Sequence, residues 1–366
     1  MAATGGTLLA APPAHAWYGD TTLKSVSING GKPIVVGTKT PVPVPITAQL
    51  QNSSGGITTI DAMLGVGDGY SFFFLDGPAG QNMTCEKTTS TVSTCTGTAT
   101  VHPTQLINSA TAPAWLRISG YAYDGGQYLL NSKYPEYADL PGATVPVLKQ
   151  TTLTVKAGPK PVRKGGTLTI TGQLSRPDWN LLNSDGLSTA SAGYANQPVK
   201  LQFMKAGATS YSTVKTVTSD TSGKLRTTVT ATTSGTWRWA FSQNSTSSAS
   251  VSTGDGVTLL KVSKLTVTAA PKPVRKGGKL TVTGRLTRAT SDAATTFAGY
   301  ANQPVKLQFR KYGSNTYSTI KTVRTDSAGR LKTTTAANAA GYWRWSYAGS
   351  ATVASVTTAG TYVKLK

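Results

Sequence analysis

The twelve residues Ala192–Phe203 return unchanged as Ala298–Phe309, and this internal repeat constrains the chain more than any other feature. Around it, Lys160–Gly166 returns as Lys272–Gly278, Tyr211–Thr213 as Tyr317–Thr319, and Trp237–Trp239 as Trp343–Trp345. A self-similar unit of roughly a hundred residues is too long for a solenoid repeat and matches an independently folding domain. The 366 residues are therefore expected to divide into three domains, 17–149, 150–261 and 262–366. The joints, at 149–151 and 262–264, are short and hold no Gly/Ser tract, which predicts semi-rigid connections.

Within the repeats, apolar and polar residues alternate in short runs. Leu168 and Ile170 share a face, as do Val199, Leu201 and Phe203, with Leu280, Val282, Val305, Leu307 and Phe309 as their counterparts. Such period-two runs, separated by Gly- and Asp-containing turns every eight to twelve residues or so, predict an all-β fold. The expected architecture is three consecutive immunoglobulin-like or prealbumin-like β-sandwich domains, the last two a duplicated module. The Trp237, Trp239, Phe241 row and its counterpart Trp343, Trp345, Tyr347 are expected in the cores; a platform for sugar rings is the alternative. Arg176 to Gly193 spans eighteen residues where Arg288 to Gly299 spans twelve, and this length change predicts a surface loop. Thr167, Gln173, Met204 and Thr218 are replaced by Lys279, Arg285, Arg310 and Arg324, which predicts that these four positions face solvent.

The run 273–286, followed by Gln303–Phe309, Asp326–Leu331 and Tyr342–Trp345, resembles the tandem immunoglobulin-like modules of secreted Streptomyces and other actinobacterial surface proteins. The resemblance covers 151–366 and implies the module rather than an activity. The first domain, with Ser27–Val36 and a cysteine pair, is similar to the N-terminal domain of exported actinobacterial proteins often labelled calcium-binding.

The net charge of +22 is unevenly spread. Residues 17–150 hold seven Lys/Arg and eight Asp/Glu (−1), 151–261 twelve and four (+8), and 262–366 seventeen and two (+15). A gradient of this kind favours a polyanionic partner, an anionic cell-wall polymer or another extracellular polyanion. The candidate contacts are the corner cations Lys160, Arg163, Lys164, Lys272, Arg275 and Lys276, with Lys306, Arg310, Lys311 and Arg324 as a strip along the third domain. The alternative is a solvated strand face guarded by lysines against edge pairing. Tyr211, Tyr312 and Tyr317 are the candidate aromatics among these cations, but no motif for sequence-specific nucleic-acid reading occurs.

Cys85 and Cys95 lie in a Thr/Ser-rich stretch and are expected to form a disulfide across a hairpin, two buried thiols being the alternative. Residues 1–16 end in Ala14–Ala16, a small-x-small cleavage pattern, and read as the remnant of a secretory signal peptide; a disordered Ala/Pro-rich tail is the alternative. No later segment has the roughly twenty apolar residues of a membrane span. His102 is the one histidine after residue 16, which leaves no histidine-rich metal site and a poor basis for a catalytic triad. Asp61, Asp68, Asp76, Asp124, Glu136 and Asp139 supply carboxylates for two alternative readings, a calcium-binding module and a hydrolase in the first domain. The leading expectation is a secreted, non-enzymatic, envelope-associated binding or spacer protein with no cofactor and no metal.

Overall fold

The computed structural model describes residues 22–52, 57, 59–66, 71–77, 82–118 and 143–366. The expected leader at 1–16 lies outside these residues, as do Asp68, Asp124, Glu136 and Asp139. The described chain is all-β, arranged as tandem immunoglobulin-like sandwiches around three separate hydrophobic clusters.

In the first sandwich, Thr22–Ile28, Val42–Gln51, Val92–Val101, Met83–Lys87 and Thr59–Ile60 form one sheet in that spatial order. Thr144–Val145, Ala114–Ile118, Ala62–Val66 and Ser71–Phe74 form the other. Cys85 stands directly opposite Cys95 on adjacent antiparallel strands, and the two are disulfide-bonded, as expected. Both sulfurs belong to residues buried in the core, so the bond replaces a cross-strand packing contact as well as closing a loop.

The second and third sandwiches share one plan. Thr167–Leu182 and Lys279–Ala289 are the central strands of the first sheet, each paired with Lys224–Thr230 or Arg330–Ala336. Pro198–Lys205 and Pro304–Lys311 are central in the second sheet, each flanked by the Trp-Arg-Trp strand, Gly235–Phe241 or Gly341–Tyr347. The alternation places Trp237, Trp239 and Phe241, and likewise Trp343, Trp345 and Tyr347, inside the cores. Trp239 and Trp345 are fully buried, and each indole N–H donates across the sandwich, to the carbonyls of Thr171 (3.1 Å) and Thr283 (3.0 Å). Glycine is required opposite each ring: a Cβ on Gly172 or Gly284 would lie 2.7–2.8 Å from the indole and 2.4 Å from a facing carbonyl.

All three sandwiches treat their first strand alike. It pairs antiparallel in one sheet, then crosses and pairs in parallel with the unit's last strand. The parallel contacts are Ile34–Val36 with Val147–Lys149, Val162–Arg163 with Leu259–Leu260, and Val274 with Leu365. In the repeats the crossing segment carries Pro159 and Pro161, or Pro271 and Pro273, residues that cannot donate to a ladder and so interrupt the first pairing.

The joints are built from repeated contacts. Lys149 pairs in parallel with Ser247, and its N–H donates to the Thr246 carbonyl (3.0 Å); Lys261 repeats this with Val353 and Thr352 (2.9 Å). Thr151 and Ser263 add hydroxyl bonds to the carbonyls of Ser248 (2.8 Å) and Ala354 (2.7 Å).

One expectation is corrected here. The six extra residues of the second domain do not form a simple surface loop. They lengthen Thr167–Leu182 to sixteen residues and carry Trp179 into the hydrophobic cluster of the first sandwich, where it is 2% exposed. Its indole N–H reaches the Gly37 carbonyl (3.3 Å), the Asn108 side chain receives the Trp179 N–H (3.0 Å), and Thr189 donates to Thr38 (2.8 Å). The tip, including Leu181 and Leu182, is exposed.

Candidate polyanion-binding surface

Lys306, Gln308 and Arg310 alternate with the buried Val305 and Leu307, so they project from the outer face of Pro304–Lys311. Arg324, at the end of the neighbouring Ser318–Arg324 strand, pairs with Pro304. Arg324, Lys306, Arg310 and Lys311 therefore follow one strand for about 25 Å. Arg324 is anchored on the Asn302 carbonyl (3.0 Å) and Arg310 on the Ser314 carbonyl (2.6 Å).

Lys279, Arg285 and Arg324 are exposed, as expected. Arg310 departs from that expectation. It is half-buried, with its Nε enclosed, because its guanidinium lies against Tyr342, 4.4 Å from the ring centre.

The two corners differ in how much of their charge is compensated. Lys160 forms an ion pair with Asp255, whose other oxygen accepts the Ala157 N–H (2.7 Å). Burial alone would raise the Asp255 carboxyl; the bonds from Lys160 and Ala157, with the charges of Lys160 and Lys156, hold it below its ordinary value. The equivalent position in the third sandwich is Thr361, and among the described residues the Lys272 ammonium meets only that hydroxyl (2.5 Å). Arg163 and Lys164 are engaged in the joint, donating to the Ser355 hydroxyl (2.9 Å) and the Asp292 carbonyl (3.0 Å). Arg275 and Lys276, their counterparts, are exposed, and their side chains have no hydrogen-bond or ion-pair partner among the described residues.

A shallow groove between the sheets of the third sandwich adds two cations that the sequence reading missed. Arg324, Arg330 and Lys332 line it together with Asp326. The Asp326 carboxylate accepts the backbone N–H groups of Ala328 (2.9 Å) and Arg330 (2.7 Å), so it closes a turn and offsets one of the three cations that line the groove. The matching groove of the second sandwich has Thr218 where Arg324 stands. The available signal was alternation: Arg330 and Lys332 flank the buried Leu331, as Lys224 and Arg226 flank Leu225.

Among the described residues, no three His, Cys, Asp or Glu side chains come together as a metal-ligand group. Asp76 accepts the Thr100 hydroxyl (3.1 Å), and His102 is exposed ahead of a short turn, Pro103–Gln105. No helix among the described residues is long and apolar enough to cross a membrane.

No family model matches the chain, and no curated protein matches it. Solved structures that resemble it include the three-domain ectodomain of mouse nectin-like molecule 4, at 11% identity and TM-score 0.34, covering 91% of this chain and 97% of that one. The Escherichia coli adhesin FdeC is another, at 15% identity and TM-score 0.31, covering 96% of this chain and 99% of that one.

Proposed function

We propose that this protein is an extracellular, non-enzymatic binding or spacer protein of the cell envelope, whose basic immunoglobulin-like modules hold an anionic wall polymer by charge. The observation that carries this reading is the uncompensated charge of the third module. It has seventeen Lys/Arg against Asp292 and Asp326, and both carboxylates are committed, one to the joint and one to a turn. Cations left without acids on a rigid surface bind a polyanion by releasing its counter-ions, a contribution that depends steeply on salt and by itself selects little among polymers. The disulfide and the absence of free cysteines among the described residues fit an oxidising, extracytoplasmic compartment.

The test uses the full chain on purified cell walls, intact and stripped of their anionic polymers, over a salt series. Retention is expected on intact walls at low salt, lost on stripped walls and at high salt. A variant with Lys272, Arg275, Lys276 and Lys306 changed to Glu is expected to lose retention; the same number of changes in the first domain is not. Equal retention on both wall preparations would overturn the reading.

A further inference from the structure

The third sandwich carries a cluster of rings and guanidiniums that the second lacks. Cross-strand register sets Arg310, Tyr342 and Tyr362 in one row over three adjacent strands, on the outer face of the sheet. Tyr317 and Tyr312 extend that row at either side. Arg344 lies 3.6 Å from the Tyr317 ring centre, Arg310 lies 4.4 Å from that of Tyr342, and Tyr362 touches both Tyr342 (5.2 Å) and Tyr312 (5.8 Å).

The duplication supplies an internal control. At the same positions the second sandwich has Met204, Thr236, Gly256 and Ala206 in place of Arg310, Tyr342, Tyr362 and Tyr312. Only the innermost pair is common to both, Arg238 over Tyr211 at 3.7 Å matching Arg344 over Tyr317. The fold therefore does not need the outer cluster, since the second sandwich forms without it. Tyr312 is 65% exposed and Tyr362 39%, so Tyr312 leaves most of its ring open and Tyr362 leaves part of its ring open beside it.

We propose that this face binds an acidic polysaccharide, with sugar rings on Tyr312 and Tyr362 and acid groups on Arg310 and Arg344. This assignment rests on the polyanion-binding reading and names the class of polymer. Three observations carry it. The two exposed rings sit 5.8 Å apart and tilted by 59°, which is not the parallel arrangement that stacked bases take. Tyr317 and Tyr342 already have guanidiniums beside them, which removes two of the four rings as open platforms. The face also offers donors and no carboxylate, since Asp292 and Asp326 are engaged elsewhere, so the ligand has to bring the acceptors. The Nη groups of Arg344 have no hydrogen-bond partner among the described residues, its Nε being held by Gln308 (2.8 Å).

The experiment measures full-chain binding to oligogalacturonate, inorganic polyphosphate of matched charge, a neutral β-glucan oligosaccharide and oligo-dT at fixed ionic strength. The wild type is expected to prefer oligogalacturonate over polyphosphate and to ignore the neutral glycan. Tyr312→Ala with Tyr362→Ala is expected to weaken oligogalacturonate binding roughly tenfold while leaving polyphosphate and the melting temperature unchanged. Both rings are exposed, so the double variant keeps its core. Unchanged oligogalacturonate binding by that variant, or a larger loss on oligo-dT, overturns the glycan site while the polyanion reading stands. A wild type that binds none of the three polyanions overturns both.

Discussion

Lys149 shows how a single side chain can tie a joint to pH. It is 4% exposed, its ammonium bonds the Asn108 side-chain oxygen, and it lies 4.9 Å from the centre of a Trp179 ring. Burial, reinforced by the Arg176 charge and only partly opposed by Asp178, pulls its pKa from 10.5 down to about 8. Between those values the unfolded chain binds a proton that the folded chain does not, so stability rises with pH from about 8 to 10.5 and is flat below. The full shift corresponds to at most about 3 kcal/mol. Thermal melts across that window are expected to climb more steeply for the wild type than for Lys149→Met, whose side chain fills the space without a charge. Trp179→Ala removes the ring beneath it and is expected to cost about 3–5 kcal/mol in urea unfolding of the first two sandwiches. Neither role was legible in the chain, because residues 176–193 carry the length change that ordinarily marks a surface loop, and the partner surface comes from residues far away in sequence.

At the scale of the element, the alternation of Leu168 with Ile170 and of Val305 with Leu307 sufficed to assign strands, since a half-buried sheet forces period two. The Trp rows were assigned to the core on the same ground, and both Trp239 and Trp345 lie there. What alternation does not encode is which strands meet. The approach of Gly284 to Trp345 depends on how the two sheets face each other, and the row of Arg310, Tyr342 and Tyr362 on register between strands tens of residues apart. Gly284→Ala would drive a methyl group into the Thr266 carbonyl and the Trp345 ring, and overpacking of this kind costs about 1–3 kcal/mol. The third sandwich is expected to melt earlier in calorimetry, with the first two unmoved. Reduction of the Cys85–Cys95 bond should lower the first sandwich instead, by about 3 kcal/mol from loop entropy. Calorimetry with and without reductant separates the two effects.

At the scale of the whole molecule, both repeats use corresponding loops to seat themselves on the preceding sandwich, and the shorter loop does so through Asp292. That carboxylate accepts the Ser234 N–H (2.7 Å) and the Thr233 hydroxyl (3.4 Å) of the second sandwich. Burial would raise its pKa, but these donors and the Lys261 charge outweigh burial and hold it below the ordinary 3.8. A depressed carboxylate contributes stability that is complete above its unfolded pKa and lost as pH falls through the lower folded value. The joint is therefore expected to be firm at neutral pH and to loosen only in acid, below 3.8. Asp292→Ala should loosen it at neutral pH, broadening the distance distribution in small-angle scattering, whereas Asp326→Ala, which disturbs a turn within the third sandwich, should not. A firm joint matters for the proposed role. Counter-ion release adds over cations that a stiff polymer can meet together, and a surface held in one orientation presents the Arg324-to-Lys311 track without first ordering it. If the scattering of Asp292→Ala broadens while its affinity for polyphosphate is unchanged, the third sandwich binds alone; a joint loss of order and affinity assigns part of the binding to the arrangement of the two repeats.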